Sequence, residues 1–156
     1  MTFKEAVEAA PPPVDGAYRP GKRATENRHR GLVTCADPAR LTGSIDLDAA
    51  LRRRRPQDNR WDYGLGHKPK RGREQAIWVE VHPATTSEVS TVLKKLKWLK
   101  DWLKQAAQLK RLTDRSDEDI RYVWIASKGD KINRNSRQYR QLRQRGLDVK
   151  KGLPLP

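Results

Sequence analysis

The residues best suited to chemistry in this sequence are three carboxylates and an imidazole: Asp46, Asp62, Glu80 and His82. Glu80 and His82 stand two positions apart in Ala76-Ile77-Trp78-Val79-Glu80-Val81-His82, a β-branched and aromatic run that predicts a strand. Side chains alternate along a strand, so Glu80 and His82 share a face with Trp78, while Ile77, Val79 and Val81 share the other. Arg60 to Gly66 predicts the preceding strand, and a hairpin turning near Arg71 and Gly72 brings Asp62 opposite Glu80 or His82. Asp46 and Asp48 share a face of an earlier segment. Carboxylates meeting about 4–5 Å apart across a sheet repel unless a cation or proton lies between them. A hard divalent ion, Mg²⁺ or Mn²⁺, is the natural occupant: Mg²⁺ takes one or two carboxylates and completes its shell with water and phosphate. The competing reading is that these acids pair with some of the 34 Lys and Arg residues.

Gly43-Ser44-Ile45-Asp46-Leu47, followed by Ile77-Trp78-Val79-Glu80-Val81-His82, resembles the signature of the PD-(D/E)xK nuclease superfamily across roughly residues 31 to 127. The resemblance implies a restriction-endonuclease-like fold, a metal held by an Asp and a Glu, and a Lys that positions or activates the attacking water. Glu80 matches the motif Glu. His82 stands where the motif has Lys. Asp46 fits the local pattern of the motif Asp and Asp62 fits its spacing to Glu80, so the metal set is Glu80 with Asp46 or Asp62. With Lys absent from the motif, His82 is placed as general base or metal ligand, and Lys68, on the turn side of Asp62, as the missing cation. The implied activity is metal-dependent phosphodiester hydrolysis. The alternative is a degenerate scaffold that binds nucleic acid, or a protein partner, without cutting.

The net charge of +15 on 156 residues points to a polyanion, DNA or RNA, because neutralising phosphates releases counterions whatever the base sequence. Arg52, Arg53, Arg54 and Arg55 form one basic cluster, Lys68, Lys70, Arg71 and Arg73 a second, and Lys131 to Arg145, with Arg137, Arg140 and Arg143, a third. The first two flank the Asp62 strand, and all three are expected to line one groove. The single cysteine excludes an internal disulfide framework, and no signal pattern or long apolar run is present, so a cytoplasmic protein without membrane attachment is expected.

The elements that must position these residues follow from periodicity. Residues 1–30 read as a flexible or partly helical segment, with Phe3, Ala6, Val7 and Ala10 at helical spacing before Pro11-Pro12-Pro13, and residues 31–156 as a single domain. Leu32–Cys35 and Thr42–Leu47 predict a strand hairpin, and Asp48 caps a short helix from Ala49 to Arg54. Thr85-Thr86-Ser87-Glu88 opens a long helix to about Leu109, with Lys94, Lys97, Lys100 and Lys104 off its apolar stripe. Arg121–Ala126 predicts a strand and Asn135–Arg145 a helix closed by Gly146. This order argues for an α/β fold, α+β being the neighbouring class, with a mixed central sheet flanked by helices.

Overall fold

A computed structural model describes all residues, 1–156. Helix α1 (Phe3–Glu8) is capped by Thr2, whose Oγ1 accepts the Glu5 N–H at 3.1 Å. A four-residue helix, α2 (Asn27–Arg30), precedes strand β1 (Val33–Cys35). Strand β2 (Leu41–Asp46) runs straight into α3 (Leu47–Leu51), and a basic loop leads to β3 (Tyr63–His67) and β4 (Gln75–Thr85). Helices α4 (Val89–Leu103), α5 (Ala107–Asp114) and α6 (Glu118–Arg121) then connect to β5 (Tyr122–Lys131), followed by α7 (Arg137–Gln144), β6 (Val149–Lys150) and β7 (Leu153–Leu155).

The main sheet has the order β2-β3-β4-β5-β6. Strands β2, β3 and β4 form an antiparallel meander, while β5 lies parallel to β4 and β6 parallel to β5. Parallel pairing requires a long crossover, which α4 to α6 provide. The fold is therefore α/β, a mixed sheet flanked by helices, as expected.

Each face of the sheet buries its own core. Ile45, Trp78 and Trp124 pack with Val92, Leu96 and Leu99 of α4 and Leu109 and Leu112 of α5. Tyr63, Leu65, Ile77, Val79, Val123 and Ile125 pack on the other face with Val33, Leu153 and Leu155. The alternation read from the 76–82 run decides this division.

Three expectations change. The segment 32–35 does not form a hairpin with 42–47: β1 pairs in parallel with β7 in a separate two-stranded sheet, because its apolar residues cover the second face instead of extending the first sheet. The long helix ends at Leu103, and α5 turns onto the sheet, where Thr113 Oγ1 accepts the Trp78 Nε1–H at 2.9 Å. Residues 1–30 are not a separable tail. Phe3, Val7 and Val14 are fully buried in the helix-side core, the Phe3 N–H donates to Glu74, and Arg19 bridges Ser44 of β2.

Glycines make the N-terminal docking feasible. A Cβ on Gly66 would come within 2.5 Å of Phe3 Cγ, and one on Gly43 within 2.3 Å of Tyr18 Cε2. No helix is long and apolar enough to cross a membrane.

Candidate functional site

Antiparallel pairing puts the C-terminal end of β2, the N-terminal end of β3 and the C-terminal end of β4 at one edge of the sheet, and parallel pairing adds the C-terminal end of β5. Tyr63 pairs with Val79, so Asp62 falls against Glu80 one step further along. The two acids lock together through the backbone. The Asp62 N–H donates to Glu80 Oε1 at 3.1 Å, and the Val81 N–H donates to Asp62 Oδ2 at 2.9 Å.

Glu80 points into the helix-side layer, where its side chain is 0 % exposed. A buried carboxylate needs a counter-charge. Lys95 of α4 supplies it, with Nζ 2.5 Å from Glu80 Oε2. His82 approaches the same oxygen, with Nδ1 at 3.6 Å, and its Nε2 lies 2.8 Å from Glu88 Oε2. Trp124 fixes the other side, its indole N–H donating to the His82 carbonyl at 2.9 Å and its ring edge-on to the imidazole. The β4–β5 register shifts between His82 and Ala84, at Pro83, which has no N–H to give to a ladder.

Burial and the adjacent Glu80 charge push the Asp62 carboxyl up to about 7. Hydrogen bonding to Glu80, helped by Glu88, raises His82 against the opposing effect of burial. Burial also works against the Lys95 charge, but the Glu80 carboxylate outweighs it and raises that ammonium. The edge is thus a compact set of alternating charges, with Asp62 poised to lose or keep a proton near neutrality.

Of the sequence-predicted residues, Asp62, Glu80 and His82 are brought together. Asp46 is not with them. Its Oδ1 accepts the Ala49 N–H at 2.9 Å and caps α3, the role expected of Asp48. Asp48 instead pairs with Arg52 at 2.7 Å and Arg60 at 2.9 Å, while its own N–H and that of Leu47 bond to the Asp62 carbonyl. Asp46 pairs with Tyr63, which packs in the core of the other sheet face, so its side chain lies on the face opposite Glu80 and does not join the set.

Lys68 is also corrected. It follows the far end of β3, six residues and about 20 Å from Asp62 at the rise of an extended strand. Lys70, Arg71 and Arg73 lie on the same far turn, so the three clusters do not line one groove. Arg52 to Arg55 leave the site edge, and Lys128, Lys131 and α7 flank it on the β5 side.

Lys95 was missed by sequence reading, although a signal exists. It lies three residues after Val92 and four before Leu99, on the flank of the buried stripe, where a lysine needs a partner.

No three His, Cys, Asp or Glu residues converge as a ready-made metal shell. The two-carboxylate set of Asp62 and Glu80 nevertheless fits a Mg²⁺-type ion, which uses few protein ligands. Asp62 Oδ1 accepts no hydrogen bond from the protein, and a cation beside it would offset the burial and the Glu80 repulsion that together raise the Asp62 pKa. No protein-family model, curated protein or solved structure matches the chain.

Proposed function

We propose that this protein binds nucleic acid and hydrolyses its phosphodiester bonds with a divalent metal, as a PD-(D/E)xK-type nuclease whose motif lysine is replaced in space by Lys95. The observation that carries this reading is the contact of Asp62, Glu80 and Lys95 at one sheet edge, contributed by β3, β4 and α4. An acid pair with one lysine is the charge set that the motif resemblance calls for, even though the lysine comes from a different element.

Asp62 and Glu80 would hold the metal, Mg²⁺ or Mn²⁺. When bound, such an ion lowers the pKa of water and neutralises charge on the phosphate. The chain's own groups do the rest. Lys95 Nζ carries N–H bonds beyond the one given to Glu80, and these meet negative charge as it builds on phosphate oxygens. Glu80 beside Nδ1 and Glu88 beside Nε2 favour the protonated imidazole of His82, which adds a second positive charge next to Lys95 and gives a proton to the leaving oxygen. Exposed Arg53, Lys128 and Lys131 give the phosphate backbone cations on both sides of the edge.

A second reading, binding without cleavage, is favoured by one feature: both Glu80 oxygens already have protein partners. Purified protein incubated with plasmid, single-stranded DNA and RNA, in Mg²⁺, Mn²⁺ or chelator, separates the two. Metal-dependent cleavage lost in Glu80→Gln and in Lys95→Ala supports hydrolysis. Salt-sensitive binding with no cleavage under any of these conditions replaces it with the second reading.

A further inference from the structure

The outward face of α7 differs from those of the other helices in its charge balance. The other two helices of eight residues or more each carry an acid that answers some of their exposed cations: Asp101 of α4 for Lys97 and the adjoining Lys104, and Asp114 of α5 for Lys110, although Lys94, Lys100 and Arg111 make no ion pair. Helix α7, Arg137-Gln138-Tyr139-Arg140-Gln141-Leu142-Arg143-Gln144, contains no acid. Leu142 is fully buried and Tyr139 is half-buried under the Arg134 guanidinium, which fixes the inward side of the helix. At about 100° per residue the opposite side carries Arg137, Arg140, Gln141 and Gln144, all exposed. Arg137 makes no ion pair, and Arg140 gives only one bond, from Nη1 to the Asn135 carbonyl at 3.3 Å. Arg143 is turned aside toward Asp148 at 3.5 Å.

With 34 Lys and Arg against 19 Asp and Glu, cations without an acid are common on this chain; what sets α7 apart is an outward side that combines arginine with glutamine and carries no acid. Arginine and glutamine are also the side chains that bond two-point to guanine and adenine edges in the major groove. The helix stands next to the candidate catalytic edge: the Asn133 N–H, just before α7, donates to Thr86 Oγ1 at 2.9 Å, and the turn Thr86–Glu88 carries the partner of His82. The major groove of B-form DNA, about 12 Å wide, admits an α-helix, whereas that of A-form RNA is too deep and narrow to be read.

We infer that Arg137, Arg140, Gln141 and Gln144 seat α7 in the major groove of B-form duplex DNA beside the catalytic edge, an inference that rests on the nucleic-acid reading above. The test is fluorescence anisotropy of the whole protein in chelator, with a labelled DNA duplex, its single strand, and an RNA duplex of the same sequence. The parent protein binds the DNA duplex about tenfold or more above the RNA duplex. Arg137→Ala with Arg140→Ala weakens DNA-duplex binding about tenfold or more and lowers the slope of log affinity against log salt by about 2, with the parent's melting temperature retained. Gln141→Ala with Gln144→Ala keeps the salt slope but narrows the spread of affinities over a panel of DNA sequences. Parental duplex affinity in the arginine variant overturns the inference while leaving the nuclease reading standing, and so does an equal loss on single strands. Failure of the parent to bind any polynucleotide at low salt overturns the nuclease reading, and this inference with it.

Discussion

Lys95 Nζ lies 2.5 Å from Glu80 Oε2, joining the middle of α4 to a carboxylate whose side chain is 0 % exposed. This contact supplies the site with a cation and also ties the principal helix to the sheet. Removing one partner of a buried pair leaves the other charge unanswered. Lys95→Ala should therefore destabilise the fold by about 3 kcal/mol, near the low end for such pairs because Lys95 is 20 % exposed and His82 remains nearby. Urea denaturation of Lys95→Ala, Glu80→Gln and the double variant measures the coupling, and strictly additive losses would show that the pair is not formed. In cleavage assays Lys95→Ala should cost about 10²-fold or more, whereas Lys68→Ala should be neutral.

The raised Asp62 pKa predicts how stability varies with pH in the metal-free protein. The folded carboxyl holds its proton up to about 7, while the unfolded one releases it near the ordinary value of about 3.9. Between those pH values the native state binds the extra proton, so unfolding free energy falls as pH rises. The contribution is fully present below about pH 4 and is lost once pH passes about 7. Asp62→Asn, which cannot ionise, should flatten this part of the profile. Denaturant midpoints from about pH 4 to about pH 8 in chelator, compared with the parent, provide the check, and parallel curves for the two proteins would contradict it.

A divalent ion at Asp62 and Glu80 should stabilise the folded chain. At about ten times its dissociation constant such a ligand contributes about 1.4 kcal/mol, visible as a rise in melting temperature. The rise should occur with Mn²⁺ and disappear in Asp62→Asn, while Asp46→Asn, which alters only the cap of α3, should keep it. A metal response that survives Asp62→Asn would place the ion elsewhere.

Phe3 rests on the bare backbone of Gly66, where an added Cβ would lie 2.5 Å from its ring. Gly66→Ala should cost about 1–3 kcal/mol by overpacking, and Phe3→Ala about 3–5 kcal/mol by leaving a cavity. Combined, the two should cost less than their sum, because truncating Phe3 makes room for the methyl. A thermodynamic cycle from denaturant melts tests this, and additivity would mean that α1 does not dock on β3. The same packing predicts that deleting residues 1–18 disrupts the whole domain.

Features that depend on near neighbours in the chain were legible before any folding was considered. Alternation in Ile77 to His82 placed Glu80 and His82 on one face, and hairpin spacing brought Asp62 opposite Glu80. Period also gave α1, most of α4 and α7 their positions, and the charge excess is plain from composition. The capping box read at Thr85–Glu88 did not form: those residues end β4 and make a short turn, and no side chain caps α4. Long-range packing settled the remainder. Asp46 and Asp62 could not be ranked from local pattern, because the β2–β3–β4 register decides that Asp46 shares a face with Tyr63 while Asp62 falls against Glu80. Lys95 became a partner of Glu80 only when α4 packed on the sheet, although the two stand 15 residues apart along the chain. The N-terminal residues read as a tail because their few apolar side chains are sparse in sequence. Phe3, Val7 and Val14 are core because the glycines of β2 and β3 leave space that other parts of the chain do not fill.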